Sequence, residues 1–290
     1  MKKTMSLLVM LSILQLSVVA QKVYFKGHVG YDIGVLKSQM NLHSDHIKDY
    51  YDSTVTTSVY QAKKSSYASG VSFDLGLGIM INKRLSAEVA GFYTVCKEQK
   101  FATEIHMEDE LGYHFSAYSD YTLQGTSYGL RPSLVYAIQG TAFRPYVRVG
   151  AVISFSDLKE SMKMDVSTDS PNYLPYGGME YTLQYRKGLS AGASISLGLE
   201  YMFLSRLWVY ADVSANIVNY YPAGAKYTSY VVSRHDITER LTTHEREMVF
   251  VDSYSTADNK SPNEPTKMLP VHYSFSTIGF NIGLKYTLFD

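Results

Sequence analysis

Apolar residues alternate with small or polar residues along eight segments of the chain. The segments lie at about residues 22–36, 67–81, 84–98, 120–138, 145–158, 187–203, 207–221 and 273–289. A period of two predicts β-strands that have one apolar face and one small or polar face. The pattern is cleanest over 187–203, where Leu, Ala and Ile alternate with Ser and Gly. These segments therefore predict eight amphipathic strands.

The connectors between these strands alternate in length. Those after the first, third, fifth and seventh strands are long, at about 37–66, 99–119, 159–186 and 222–272, whereas the others are short. An open sheet edge in lipid would leave backbone groups without hydrogen bonds, so such a sheet has to close on itself. The sequence predicts an all-β fold, an eight-stranded antiparallel up-and-down transmembrane β-barrel with four long extracellular loops and three short periplasmic turns.

The N-terminus carries an export pattern. Two lysines precede an apolar run from Met5 to Val19, and Ala20 places a small residue at the cut before Gln21. A membrane anchor would need roughly 20 apolar residues, and this run is shorter. We therefore predict a cleaved Sec-type signal peptide over 1–20, a barrel domain over 21–290, and an outer-membrane location after Sec-dependent export.

Composition agrees with a barrel wall in which lipid-facing and interior residues average out. The chain has 26 tyrosines, 12 phenylalanines, 20 glycines and one tryptophan. Loss of the two leader lysines leaves 25 basic and 27 acidic residues, a net charge of −2, which gives no indication of a nucleic-acid partner. The single cysteine, Cys96, excludes an internal disulfide.

Several inward positions carry charged side chains. An eight-stranded barrel has an interior just wide enough to be filled by side chains. The sequence predicts a lumen ion-pair network of four bases and five acids: Lys26, Asp32, Asp74, Glu88, Arg131, Arg148, Glu200, Asp212 and Lys285. Such charges either neutralise one another where little water is present, or line a gate or polar pathway. Parity alone does not show which acid meets which base.

The last strand has the form of a barrel-insertion signal, with alternating apolar positions and a near-terminal phenylalanine. Its residues are Asn281, Gly283, Tyr286, Leu288 and Phe289, and Asp290 follows them. In this motif and in its eight-strand layout the chain resembles the small outer-membrane β-barrel family that includes the OmpA transmembrane domain and the OmpW-like and opacity-type barrels. The resemblance implies structural proteins, adhesins, secretion accessories or, in a few members, lipid-modifying enzymes.

Two motifs resemble catalytic patterns. Gly125–Gly129 (Gly-Thr-Ser-Tyr-Gly) matches the nucleophile elbow, but an elbow needs a strained strand-to-helix turn, whereas this segment lies within an alternating strand. His244–Met248 begins like a zinc-protease helix, yet Met248 occupies the place of the second histidine ligand. We interpret both as parts of the scaffold.

Two further groups of polar residues are weaker candidates. The first connector holds four potential metal ligands, His43, Asp45, His46 and Asp49, although surface loops often collect such residues. His272 and Ser274 loosely resemble the histidine and serine of outer-membrane lipid A deacylases, but no orienting acid can be named. The sequence thus predicts no catalytic residue, no cofactor and no metal.

The favoured hypothesis is a non-enzymatic integral outer-membrane barrel with a structural or loop-mediated binding role. The alternatives are a narrow channel or OmpW-like transporter of small molecules, and an outer-leaflet lipid-modifying enzyme. The expected partners are outer-membrane lipid and lipopolysaccharide, the barrel-assembly machinery, and an extracellular or envelope protein that contacts the long loops.

Overall fold

Eight long antiparallel strands form a closed ring. The computed structural model describes residues 22–35, 38–39, 64–65, 67–108, 114–140, 142–168, 178–186, 188–255 and 261–288. The leader at 1–20 lies outside these residues, so its cleavage stays a prediction. Within the described part of the chain, no helix is both long and apolar enough to span a membrane.

The barrel strands are numbered in chain order. They are β1 (Lys22–Gly34), β2 (Gly70–Met80), β3 (Leu85–Cys96), β4 (His114–Ala137), β5 (Phe143–Thr168), β6 (Gly188–Leu204), β7 (Leu207–Tyr220) and β8 (Thr277–Thr287). Each strand pairs with the next, and β8 pairs with β1 from Tyr24↔Thr287 to Gly34↔Thr277. Closure gives the backbone groups of the wall partners within the sheet. The predicted eight-stranded fold is confirmed.

Short turns join the strands at one end of the barrel. Between β2 and β3, the side-chain carbonyl of Asn82 accepts hydrogen bonds from the backbone N–H groups of Arg84 and Leu85, each at 2.8 Å. A side chain that satisfies its own turn in this way favours a tight reversal. At the opposite end the chain makes its long excursions, so the two ends of the barrel differ as predicted.

Two aromatic belts bound the apolar outer surface of the wall. The rings of Tyr128 and Phe155 lie 5.9 Å apart at the long-loop end, and those of Phe143 and Tyr201 lie 4.9 Å apart at the short-turn end. Phe143 and Phe155 are 12 residues apart on β5. With a rise of about 3.3 Å per residue and a tilt of about 40°, the belts are about 30 Å apart along the barrel axis, which matches the hydrocarbon core of a bilayer.

Beyond the upper belt the wall continues as an open sheet. It contains the outer halves of β4 and β5 and five further strands: Gln99–Glu108, Met179–Tyr185, Gly224–Val232, Glu247–Phe250 and Thr266–Met268. We call these strands together the outer sheet. The connectors after the third, fifth and seventh strands were expected to be loops, and in the structure much of each is strand. The reason is that the neighbouring extensions satisfy one another's backbone groups above the membrane.

Small elements complete the described part of the chain. Ser38–Gln39 pairs with Lys64–Ser65, His235–Asp236 pairs with Gly224–Val232, and Tyr273–Ser274 pairs with the end of β7. A 3₁₀ turn at Thr238–Arg240 precedes the single helical turn α1 (Thr243–Arg246). Thr242 and Glu245 form a reciprocal capping box at the start of α1, which explains why so short a turn forms.

An apolar cluster fills the barrel mouth beneath the outer sheet. Its buried members are Tyr67, Ala68, Phe92, Cys96, Leu123, Val152, Leu158, Leu183, Tyr185, Val218, Tyr220, Ala225 and Phe275. Tyr220 and Leu158 have no exposed surface, and the ring of Tyr220 meets that of Phe275 edge-on at 5.8 Å. We call this set the mouth cluster. It is the main hydrophobic core of the described residues. The mouth cluster begins at the level of the upper belt and extends outward from there.

Candidate functional site

The nine charged residues predicted for the lumen all lie inside the barrel. Seven of them are buried, and Arg131 and Arg148 are partly exposed. Their strands place them there because each occupies the parity opposite to the lipid-facing residues. The structure also shows how they pair, which divides the network into three groups and one acid that stands apart.

Glu88 is the centre of the first group. Its carboxylate accepts hydrogen bonds from Lys26 and, at 2.7 Å, from the hydroxyl of Tyr24. Arg148 approaches the same carboxylate at 3.1 Å through Nε and reaches Asp212 at 3.2 Å through Nη1. One guanidinium therefore joins an acid on β3 to an acid on β7, across the lumen.

Asp212 has two further partners. The hydroxyl of Tyr146 donates to it at 2.6 Å, and the side-chain amide of Asn281 donates at 2.7 Å. The ring of Tyr146 fits because its neighbour is Gly198, where a Cβ would crowd the phenol at 2.5 Å. A small residue on one strand thus makes room for a large polar one on the next.

Asp74 holds the second group together. Arg131 donates to it at 2.7 Å, and Nε2 of His28 lies 3.3 Å from its other oxygen. The remaining ring nitrogen of His28 lies 3.0 Å from the hydroxyl of Tyr210, and the guanidinium of Arg131 lies 4.2 Å from the centre of the Phe92 ring. Through Arg131 and Phe92, the second group therefore contacts the inner side of the mouth cluster.

The third group lies near the short-turn end. Lys285 donates to both oxygens of Glu200, at 2.8 and 3.1 Å, and Arg144 lies 3.9 Å from the same carboxylate. The ammonium of Lys285 also lies 4.2 Å from the centre of the Tyr24 ring. Because desolvated charges are costly unless paired, this arrangement stabilises the group only as a unit.

Asp32 stands apart from these groups, nearer the mouth. It is buried, the hydroxyl of Ser72 hydrogen-bonds to it, and Arg131 and His28 act on it at longer range. None of the ion pairs found among the described residues includes Asp32. It lines a cavity of about 30 Å³ together with Arg131 and Asn216.

Three buried polar atoms around that cavity have no hydrogen-bond partner among the described residues. They are Nε of Arg131, Oγ of Ser154 and the side-chain carbonyl oxygen of Asn216. A second cavity of about 20 Å³ lies next to His28, Asp74 and Arg148, and Arg131 lines both. Volumes of this size accommodate about one or two water molecules. The lumen therefore holds water-sized gaps at the level of Arg131.

Sequence reasoning missed several members of the network. They are Arg144, His28, Tyr24, Tyr146 and Tyr210, which all occupy inward positions of their strands. The available signal was their parity, since a polar residue on the inward face of a narrow barrel needs a partner. Tyrosine hydroxyls supply hydrogen bonds to the acids without adding charge.

The two catalytic patterns are built into the scaffold. Ser127 lies within β4, is buried, and accepts a hydrogen bond from Ser156 at 3.2 Å. His244 lies in α1 and its ring nitrogen is 3.2 Å from the hydroxyl of Thr266. Among the described residues, no group of three or more His, Cys, Asp or Glu side chains could hold a metal ion.

The remaining candidates are separated or lie beyond the described residues. His272 is exposed beside the ring of Tyr221, whereas Ser274 is buried and accepts a hydrogen bond from the backbone N–H of Ser276. His43, Asp45, His46 and Asp49 lie outside the described residues, and so does Phe289 of the insertion signal. Asn281, Gly283 and Tyr286 lie in β8, and Leu288 follows it.

Comparison with known proteins gives one family match. The family model described as "Outer membrane protein beta-barrel domain" matches residues 6–235, well over half of the chain. No curated protein matches the chain.

The solved structures that are similar to the chain include three outer-membrane proteins. The Neisserial surface protein A is 11% identical, with 91% of this chain and 96% of that chain covered and a TM-score of 0.34. Ail, the attachment invasion locus protein of Yersinia pestis, solved with the heparin analogue sucrose octasulfate, is 9% identical, with coverages of 92% and 97% and a TM-score of 0.34. The outer membrane protein AlkL is 12% identical, with coverages of 93% and 92% and a TM-score of 0.31.

Proposed function

Because this chain belongs to the outer membrane protein beta-barrel domain family and lies in the outer membrane, we propose that it acts there as a closed, non-enzymatic barrel whose outer sheet binds a partner. The membrane half of the barrel serves as its anchor. The resemblance stated for the insertion signal further suggests that the barrel-assembly machinery inserts it, and that lipid and lipopolysaccharide surround it.

The side chains of the lumen favour a membrane anchor over a channel. Its acids and bases neutralise one another at close range, so a permeating ion would have to break pairs such as Arg131–Asp74. Above them the mouth cluster presents apolar side chains, and a hydrated ion would lose its water there without compensation. Both barriers favour a closed barrel.

The continuity of the outer sheet with the wall is the observation that carries the proposal. Apart from one gap at 131–132, β4 and β5 are paired from Ala137↔Tyr146 near the short-turn end up to Phe115↔Thr168, and Met179–Tyr185 and Gly224–Val232 extend the same ladder sideways. A surface that is already ordered loses little conformational entropy on binding. A partner-binding surface made of irregular loops would not require β4 and β5 to extend so far beyond the membrane.

The binding face we propose is the outward side of the outer sheet. In register across it lie Gln124, Lys159, Gln184 and Lys226, and the last of these pairs with Glu247. Amide and ammonium groups in rows suit hydrogen-bonding partners such as a polar protein surface or a sugar. Mixed charge along the face favours specificity over non-specific adsorption.

Site-specific photo-crosslinking in intact envelopes tests the proposal. A photoreactive amino acid at Lys159 should give a discrete adduct with a partner, and the same group at Ile195, on the lipid-facing wall, should not. The purified protein should give no conductance steps in a planar bilayer. Reproducible steps combined with no adduct at Lys159 would contradict the proposed function.

A second candidate function, a lateral route for small apolar molecules, is favoured by a break in the wall. The β4–β5 ladder passes from Leu130↔Ile153 directly to Ser133↔Gly150, because Pro132 has no N–H to donate. Arg131, beside this break, lines both cavities. A local gap in the hydrogen bonding is where a wall opens most easily.

A reversible disulfide across that seam tests this route. Leu134 and Val149 are paired, lipid-facing residues next to the break, and cysteines at both positions in a Cys96→Ala background should form a bridge on oxidation. Transport predicts that cellular uptake of a short alkane falls on oxidation and recovers on reduction. Equal uptake with and without the protein would exclude this route.

A further inference from the structure

Glu160 is an acid in an apolar place. It lies on β5, five residues beyond Phe155 and therefore above the upper belt, and its side chain shares the inward face with the buried residues Leu158 and Met162. Its strand neighbours at the same level are Leu123 on β4 and Leu183 on Met179–Tyr185. Neither neighbour offers a charge.

The two oxygens of Glu160 are held by tyrosines from the adjacent strand. The hydroxyl of Tyr181 donates to Oε1 at 2.8 Å, and that of Tyr185 donates to Oε2 at 3.2 Å. The ring of Tyr185 meets that of Tyr273 at 5.3 Å, and Tyr273 meets Tyr67 at 5.1 Å. Glu160 thereby connects β5 with Met179–Tyr185 through hydrogen bonds and, through the ring of Tyr185, with the mouth cluster.

The groups that face Glu160 are tyrosines. Tyr181 and Tyr185 face it from Met179–Tyr185, Tyr227 from Gly224–Val232, Tyr273 from the segment before β8, and Tyr67 from the segment before β2. On β4, Tyr121 lies two residues further out than Leu123 and neighbours Tyr181. Lys159 and Lys163 point to the opposite face of β5.

This setting differs from that of the paired lumen acids. No ion pair found among the described residues includes Glu160, whereas Asp74, Glu88, Glu200 and Asp212 each meet a base. A carboxylate without a counter-charge in apolar surroundings favours its protonated form. A carboxylate that is given water favours its ionised form.

We propose that Glu160 and the tyrosine hydroxyls around it form an acid-sensitive latch, which holds the strand Met179–Tyr185 over the barrel mouth when the carboxyl group is protonated and loosens this strand when the group ionises. The moving part is Met179–Tyr185, since both hydrogen-bonding tyrosines belong to it. The latch is independent of whether the outer sheet binds a partner.

The direction of the pH effect follows from proton linkage. Burial raises the pKa of Glu160 above its ordinary value, and the hydrogen bonds from Tyr181 and Tyr185 only partly oppose this. The docked state therefore holds its proton to higher pH than the opened state does. Docking is most stable below the ordinary pKa of glutamate, about 4.3, and weakens as pH rises from there towards the raised pKa.

Hydrogen exchange on the folded full-length protein in lipid nanodiscs tests the latch. Exchange of the backbone amides of Met179–Tyr185 is measured from about pH 4 to about pH 8 and corrected for intrinsic rates. Protection should fall with rising pH, by up to about tenfold per pH unit inside the window. Glu160→Gln should remove this pH dependence and keep the high protection seen at low pH, because the amide is neutral like the protonated carboxyl group: its oxygen accepts from one tyrosine hydroxyl and its NH2 group donates to the other.

Two further variants separate the latch from general damage. Glu180→Gln changes an exposed acid on Met179–Tyr185, the strand whose exchange is measured, and should leave the wild-type pH profile unchanged. Tyr181→Phe removes a donor that stabilises the ionised form, so the fall in protection should start at the same pH and extend to higher pH. The latch is wrong if Glu160→Gln retains the wild-type pH dependence, or if wild-type protection rises with pH.

Discussion

The two halves of β5 show opposite polarity within one strand. Between the belts, the outward residues are Val147, Val149, Ala151 and Ile153, and the inward ones include Tyr146 and Arg148. Above the upper belt, Lys159, Ser161 and Lys163 face outward, while Leu158 and Met162 face inward and are buried. The alternation continues without a change of phase, and only the identity of the two faces is exchanged.

This inversion shows that the solvent outside decides what the barrel contains. Where lipid surrounds the wall, apolar residues go outward and the interior can hold charges that pair. Where water surrounds it, the hydrophobic effect acts in the usual direction and draws apolar residues inward. The barrel interior is thus filled by paired charges within the membrane and by apolar side chains above it. We expect the first region to be sensitive to loss of a charge partner and the second to loss of packing.

The largest effect is expected from breaking the lumen network at Glu88. Glu88→Ala removes an acidic partner from the buried Lys26 and from the partly exposed Arg148, and removal of one member of a buried pair costs about 3–5 kcal/mol. We expect that loss in the free energy of unfolding, measured by urea denaturation in lipid vesicles. Glu180→Gln, which changes an exposed acid, should stay within about 0.5 kcal/mol. An equal response of both variants would mean that the lumen charges do not act as a network.

The next effect concerns the mouth cluster. Phe275→Ala removes a buried ring that packs on Tyr220, and a cavity of this kind costs about 3 kcal/mol. Because Phe275 belongs to the mouth cluster, beneath the outer sheet, we expect faster hydrogen exchange in the outer sheet while the membrane strands stay protected. Uniform loss of protection over all strands would show that the two regions unfold together.

A matched pair of arginines locates the boundary between the regions. Ile195 lies on the outward face midway between the belts, and an arginine at the bilayer midplane costs about 2–4 kcal/mol. Ser161 lies on the outward face above the upper belt, so Ser161→Arg should cost less than about 0.5 kcal/mol. Unfolding in vesicles measures both variants. A similar cost at both positions would place the outer sheet inside the bilayer.

The number of strands and their inward face could be predicted from the period of two, and their up-and-down order from the alternating lengths of the connectors and the need for closure. The pairing of the charges could not, since it depends on which strands face each other across the lumen. Arg148 illustrates this, because it joins Glu88 on β3 to Asp212 on β7, far apart in sequence. Parity gave nine charged members of the network, but which of them pair depends on closure of the ring.

The outer sheet was missed for a related reason. The loop expected at about 159–186 includes residues 159–168, where polar side chains occupy the face that is apolar up to Phe155. The period of two in fact continues, with Leu158 and Met162 inward and Lys159 and Lys163 outward. A strand that leaves the bilayer keeps its period and exchanges its faces, so a search for lipid-facing residues stops too early.

The smallest effect is expected where a charge pair lies outside the bilayer. Lys226 and Arg186 each contact Glu247 at 2.7 Å on the outer sheet, and the hydrogen bond from Lys226 lowers the pKa of Glu247. A lowered pKa stabilises the fold at pH values above the pKa of the unfolded state, and this stabilisation is lost as pH falls. Because water screens this pair, Lys226→Met should cost less than about 1 kcal/mol in the free energy of unfolding. Lys285→Met makes the same change to a buried lysine bonded to Glu200 and should cost several times more. Unfolding of both variants measures the ratio, and because the side chain replaced is the same, a ratio near one would mean that burial does not set the strength of these ion pairs.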